Sequence, residues 1–60
     1  MNEMMKLKEA SEYLQVGTIK LARMIKSGEF PGFRLGSDYR VSRKDMEAWI
    51  KRQENMESWR

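Results

Sequence analysis

The 60-residue sequence has no cysteine, no histidine and only one proline. Without cysteine there is no disulfide framework and no thiolate metal site. Without histidine the chain lacks the commonest general base and the commonest neutral metal ligand. No apolar run approaches the roughly 20 residues needed to cross a bilayer. The opening Met1-Asn2-Glu3-Met4-Met5 has neither the basic nor the apolar region of a signal peptide. Together these absences predict a soluble, intracellular protein. Repeats and low-complexity segments are also missing, and the length admits a single domain over 1–60 with a core at about 5–53. Such a chain buries only about 60% of its unfolded surface, so its core must be thin.

The charge that is present is unevenly placed. Between Gly17 and Lys44 lie seven basic residues (Lys20, Arg23, Lys26, Arg34, Arg40, Arg43, Lys44) and two acids, Glu29 and Asp38, a net of +5. The whole chain carries +3, which leaves −2 for the remainder. A charged fraction of 35% alone would suit a disordered chain, but two Trp, two Tyr, two Phe and regularly spaced aliphatics supply apolar area for a small core. A folded domain with one strongly basic segment points to a polyanionic partner, with nucleic acid foremost.

Periodicity divides the chain into elements. Leu7, Ala10 and Leu14, with Tyr13 beside them, recur at helical spacing and predict a short helix over Leu7 to Leu14. Glu9 near its start suits the helix dipole. Gln15, Val16 and Gly17 interrupt the pattern, with Gly17 suited to a tight turn and Gly17 or Thr18 suited to cap the next helix. That second helix is expected from Thr18 to Ser27, with Leu21, Met24 and Ile25 inward and Lys20, Arg23 and Lys26 outward. Gly28 reads as its left-handed terminator, and Pro31 prevents continuation. Two short helices joined by about three residues including Gly form a helix-turn-helix candidate.

Phe33-Arg34-Leu35 and Tyr39-Arg40-Val41 alternate with period two, the pattern of half-buried strands. With Gly36-Ser37-Asp38 as a three-residue loop, Leu35 would pair with Tyr39 and Phe33 with Val41. Arg34 and Arg40 would then be cross-strand partners on the exposed face, an arrangement that suits a phosphate-facing surface better than a purely structural one. Ser42 and Asp45 have capping-box-like spacing at the start of a third helix. Its inward stripe is Met46, Trp49, Ile50 and Gln53, continued by Met56 and Trp59, with residues 54–60 expected to fray.

Catalytic arrangements are weak. The pairs Glu9/Glu12 and Asp45/Glu47 read as solvated helix faces, because nine acids among twelve cations generate such pairs by chance. Ser11 and Ser42 have no activating partner at a suitable spacing. Gly28, Gly32 and Gly36 are isolated and match no phosphate-binding loop. The chain therefore reads as a non-enzyme that needs no cofactor, no metal and no small-molecule ligand. A helix of this kind enters the major groove by its N-terminal end, which makes Thr18, Ile19, Lys20 and Arg23 candidates for base edges and Lys26 for phosphate. Ile19 suits either a thymine methyl or the margin of the core. Trp49 belongs to the core rather than to a base-stacking platform, and Trp59 either packs back or meets a neighbouring molecule.

Leu7-Lys8-Glu9-Ala10-Ser11-Glu12-Tyr13-Leu14-Gln15-Val16, Ile25-Lys26-Ser27-Gly28-Glu29-Phe30-Pro31-Gly32-Phe33-Arg34-Leu35-Gly36 and Tyr39-Arg40-Val41 resemble the excisionase-type, MerR-like winged helix-turn-helix family. The likeness covers roughly Met5 to Ile50. It implies a small α+β fold, mainly α, with three short helices and a two-stranded β-hairpin wing between helices 2 and 3. It also implies that Thr18, Lys20 and Arg23 lie in the major groove of double-stranded DNA. The wing residues Arg34, Ser37, Tyr39 and Arg40 would meet the adjacent minor groove or backbone, with Arg43 and Lys44 as further phosphate contacts. Gly17 stands where the family usually has a capping Ser, and Asp38 where a wing Arg is common. The implied role is a sequence-specific architectural protein of site-specific recombination in a phage or mobile element. Such a protein would be cytoplasmic and nucleoid-associated, assisted by a recombinase or integrase and by cooperative self-association. A small transcriptional regulator of the same fold is the alternative, followed by a protein-interaction adaptor whose basic face meets an acidic partner.

Overall fold

The computed structural model describes residues 3–58, and side chains as far as Asn55. Strand β1 (Met4–Lys6) runs directly into helix α1 (Leu7–Leu14). At the junction the Lys6 backbone N–H donates to Glu9 Oε1 at 2.8 Å. This is the carboxylate half of a capping box, and a lysine side chain has no acceptor with which to complete the other half. Helix α1 ends with Gln15 in the left-handed region, at φ 57°. There the Gln15 and Val16 N–H groups close back on the Glu12 and Ser11 carbonyls.

The tight turn thus falls on Gln15 rather than Gly17, which is extended at φ −61° and ψ 148°. Gly17 is instead the N-cap of α2 (Thr18–Ser27), its carbonyl accepting from Leu21 N–H at 3.0 Å. At the far end Gly28 takes φ 86°, and Glu29 N–H reaches the Met24 carbonyl at 2.9 Å. The left-handed terminator is therefore where the sequence places it, and the bounds of α2 are those expected.

Strands β2 (Phe33–Leu35) and β3 (Asp38–Ser42) come next, and then α3 (Arg43–Ser58). The fold is a small winged helix-turn-helix, but its sheet has three antiparallel strands in the order β1-β3-β2. The hairpin differs from expectation in register. Its partners are Phe33↔Arg40, Arg34↔Tyr39 and Leu35↔Asp38. The loop is therefore two residues long, Gly36-Ser37, and only Gly36 among them has positive φ, at 65°. That is the chemistry of a two-residue hairpin with glycine first, whose twist matches that of the flanking strands. A one-residue shift sends every side chain of one strand to the other face. Arg34 and Arg40 are consequently not partners, and they lie on opposite faces.

The inward face carries Met5 and Val41, partners across β1 and β3 and both buried, with the half-buried Tyr39 beside them. Ala10 of α1, Leu21 and Ile25 of α2, Phe30 and Met46 of α3 complete the core. Phe30, 2% exposed, comes from the α2–β2 connection and has no periodic partner in the sequence. Its ring meets Trp49 edge-on at 4.8 Å, and Trp49 Nε1 donates to the Glu29 carbonyl at 3.0 Å. Trp49 thereby fastens the connection to α3, the core role expected of it. Tyr13 and Gln53, expected inward, are exposed. The capping-box-like start of α3 is formed by Asp45 N–H donating to Ser42 Oγ at 3.4 Å. The Met56 side chain and the whole of Trp59 lie outside the described residues, and with them the expected tail contact.

Two effects on stability are expected. A 60-residue domain has about 3–9 kcal/mol in total, and emptying a buried phenylalanine site costs about 3–5 kcal/mol. Phe30→Ala should therefore remove a large part of that stability and lower the thermal midpoint by about 15 °C or more, as read by far-ultraviolet circular dichroism. The glycines should respond with opposite signs in thermal melts. Gly17→Ser adds a capping hydroxyl to an extended residue with open space around it, which should stabilise by about 0.5 kcal/mol. Gly28→Ala forces a side chain into the left-handed region and should destabilise by about 1 kcal/mol.

Candidate nucleic-acid interface

Helix α2 presents the expected residues to solvent. Thr18, Ile19, Lys20, Arg23 and Lys26 are not buried: Ile19 is 79% exposed, and Leu21 and Ile25 alone on this helix are buried. Ile19 is therefore not a core residue. An isoleucine this bare beside Lys20 and Arg23 gives the outer face of α2 an apolar contact within a cationic surface. No carboxylate neutralises that surface, because among the described residues the two ion pairs both belong to Arg43.

The hairpin supplies a second cationic element, in an arrangement different from that expected. Arg34 is exposed, and its Nε donates to the Gly36 carbonyl at 2.9 Å, which ties the guanidinium to the turn. Arg40 is half-buried on the opposite face, and its Nη1 donates to the Tyr39 carbonyl at 3.0 Å. Both bonds use one nitrogen of a five-donor fork and orient the remainder. Ser37 is exposed in the turn. Asp38 is the first residue of β3, opposite Leu35, and so lies just behind the turn rather than within it.

Helix and hairpin meet at a groove of about 540 Å³ lined by Lys6, Leu7, Lys8, Thr18, Ser37, Asp38, Tyr39 and Arg40. Four residues expected at the interface thus share one concave surface: Thr18 from the start of α2, and Ser37, Tyr39 and Arg40 from the hairpin. Lys6 and Lys8 join them without having been expected. They lie outside the basic segment, and only the pairing of β1 with β3 brings them in. Lys20, Arg23, Lys26 and Arg34 are not part of the groove lining.

Arg43 serves the fold. Its Nε pairs with Glu3 Oε1 at 3.0 Å, and its Nη1 lies 3.5 Å from Glu47 Oε2. Its guanidinium also lies 5.6 Å from the centre of the Tyr13 ring. Loss of hydration pulls its pKa down, but the charges and hydrogen bonds of Glu3 and Glu47 outweigh this and hold it above the ordinary arginine value. With the Arg43 N–H bonded to the Glu3 carbonyl at 2.8 Å, this residue staples the start of β1 to the start of α3. Lys44 is exposed and makes no ion pair among the described residues.

A family model described as "Helix-turn-helix domain" matches residues 4–54. That span runs from the first residue of β1 well into α3 and includes every residue of the groove. No curated protein and no solved structure shows significant similarity to the chain.

Proposed function

The chain belongs to the helix-turn-helix domain family, and from that premise we propose that it is an architectural DNA-binding protein of excisionase type. Family membership supports sequence-specific binding to double-stranded DNA in general. The observation that carries the reading further is the continuity of the cationic surface. The bare outer face of α2, with Thr18, Ile19, Lys20 and Arg23, adjoins through Thr18 a groove that the hairpin also lines. In this reading α2 enters the major groove by its N-terminal half, where Lys20 and Arg23 read base edges and Ile19 lies against a thymine methyl. Lys26, Arg34, Arg40 and Lys44 meet phosphate. Arg43 drops out of that set, because its guanidinium is committed to Glu3 and Glu47.

The recombination role rests on the excisionase-type resemblance of the stretches around α1 and the α2–β2 connection. One α2 and one short hairpin cover few base pairs, so affinity is expected from several copies on neighbouring sites, with a recombinase as partner on nucleoid DNA. No helix among the described residues is long and apolar enough to cross a membrane. An architectural role requires the protein to bend its site, whereas a simple regulator needs only to occupy it. Electrophoresis of circularly permuted fragments carrying a selected site should show position-dependent mobility. Uniform mobility would favour the regulator.

Duplex binding itself is tested by its salt dependence. With the four phosphate contacts of Lys26, Arg34, Arg40 and Lys44, log affinity should fall against log salt with a slope of about −3.6 or steeper, and a slope near zero would refute the reading. Arg23→Ala should cost about 1–3 kcal/mol on the selected site and relax the sequence preference there. Arg34→Ala should weaken selected and random duplexes alike. A loss confined to the selected site would move Arg34 from backbone to base contact.

A further inference from the structure

The register of the sheet places two cations face to face. Lys6 of β1 and Arg40 of β3 are direct partners in the antiparallel ladder, so their side chains leave the same face, with Cβ atoms about 4.5–5.5 Å apart. Like charges so placed destabilise the sheet. Lys8 adds a second local cost, because it occupies the first turn of α1, where the helix dipole disfavours a cation. Lys6, Lys8 and Arg40 line the same groove, and none of them has an ion pair among the described residues. The fold therefore gathers three unneutralised cations, all of them in locally unfavourable places, around one concave surface.

We propose that this groove seats one sugar–phosphate strand of the DNA duplex, and that Lys6 and Lys8 are phosphate contacts together with Arg40. The inference rests on the DNA-binding reading above and deepens it. The two grooves of a duplex are divided by a phosphate strand. A protein with α2 in one groove and its hairpin towards the next must straddle that strand. Thr18 from α2 and Ser37, Asp38, Tyr39 and Arg40 from the hairpin line the same groove. The start of α2 carries no side-chain cap, so the positive end of its dipole reinforces the cations on the Thr18 side. Lys6 and Lys8 add charge to the lining from the junction where β1 gives way to α1. Asp38 is the single acid on the lining, and it limits how closely the strand approaches the hairpin.

The test is a salt titration of a labelled mixed-sequence duplex by fluorescence anisotropy, using the full chain and four variants. Each lost phosphate contact should flatten the log–log slope by about 0.9. Lys6→Ala and Lys8→Ala should each show that change, and the double variant about 1.8. A Lys51→Ala/Arg52→Ala double variant removes the same charge from exposed positions on α3 and should keep the wild-type slope. All four substitutions are at exposed positions, so thermal melts should confirm folding, and the single variants keep the test valid if the double variant is unstable. The groove assignment is overturned if the Lys6/Lys8 variant keeps the wild-type slope or flattens it no more than the α3 variant does. Absence of salt-dependent binding by the wild-type chain would instead overturn the DNA-binding reading itself.

Discussion

The two-residue turn at Gly36-Ser37 decides which face each side chain of β2 shares with β3, and the two faces of the hairpin depend on it. With glycine first in the turn, Leu35 faces Asp38 and Phe33 faces Arg40. The pairing with β1 turns Val41 inward to meet Met5 and Arg40 outward to meet Lys6. A third residue in the loop would leave β3 as it is and turn β2 over, bringing Phe33 and Leu35 to the Val41 face and Arg34 to the Arg40 face. The two-residue turn instead leaves Phe33 and Leu35 on the outward face, 47% and 56% exposed. Within β3 the alternation of the strand makes the burial of Val41 and the outward turn of Arg40 one constraint seen from two sides. The outward side is the one that builds the groove.

The chain separates cations that hold the fold together from cations held apart for a partner. Arg43 has two carboxylates and an aromatic ring around it, and it joins the start of β1 to the start of α3. Exposed pairs of this kind contribute little individually. Their geometric effect matters more, because they add a further tie to a three-residue strand that rests on its ladder with β3 and on Met5, and that carries Lys6. By contrast Lys6, Lys8, Lys20, Arg23 and Lys26 have no acidic neighbour close enough to pair among the described residues. So small a core can carry few such unfavourable charges. Their concentration along α2 and the adjoining groove is what gives them meaning.

The sequence shows some parts of this arrangement plainly and conceals others, for physical reasons. Helix α2 is legible end to end, because Gly17 and Gly28 punctuate it and Leu21, Met24 and Ile25 mark one face. The exposure of Thr18, Lys20, Arg23 and Lys26 is a consequence of that phase. The hairpin is legible as a hairpin but not in register. Phe33-Arg34-Leu35 and Tyr39-Arg40-Val41 alternate equally well in either pairing when considered alone. The Gly-Ser pair is the available signal, being the composition of a two-residue turn. Strand β1 escapes periodicity, because Met4-Met5-Lys6 is too short to alternate. Its partner is also about forty residues away, as the pairing of Met4 with Ser42 shows. Lys6 and Lys8 are concealed with it, since they sit in the part of the chain whose net charge is negative. Phe30 is hidden for another reason: in a connection rich in turn residues, burial depends on Trp49 closing over it from α3.

Helix α2, the hairpin and the β1–α1 junction together form one proposed DNA-binding surface, and amide chemical-shift mapping tests that claim most directly. The isotope-labelled protein would be titrated with a DNA duplex. Shifts should concentrate at Lys6, Lys8, Thr18 to Lys26 and Ser37 to Arg40, with Lys51 and Arg52 on α3 unmoved. Shifts centred on α3, or on α2 alone with Lys6 and Lys8 silent, would contradict it.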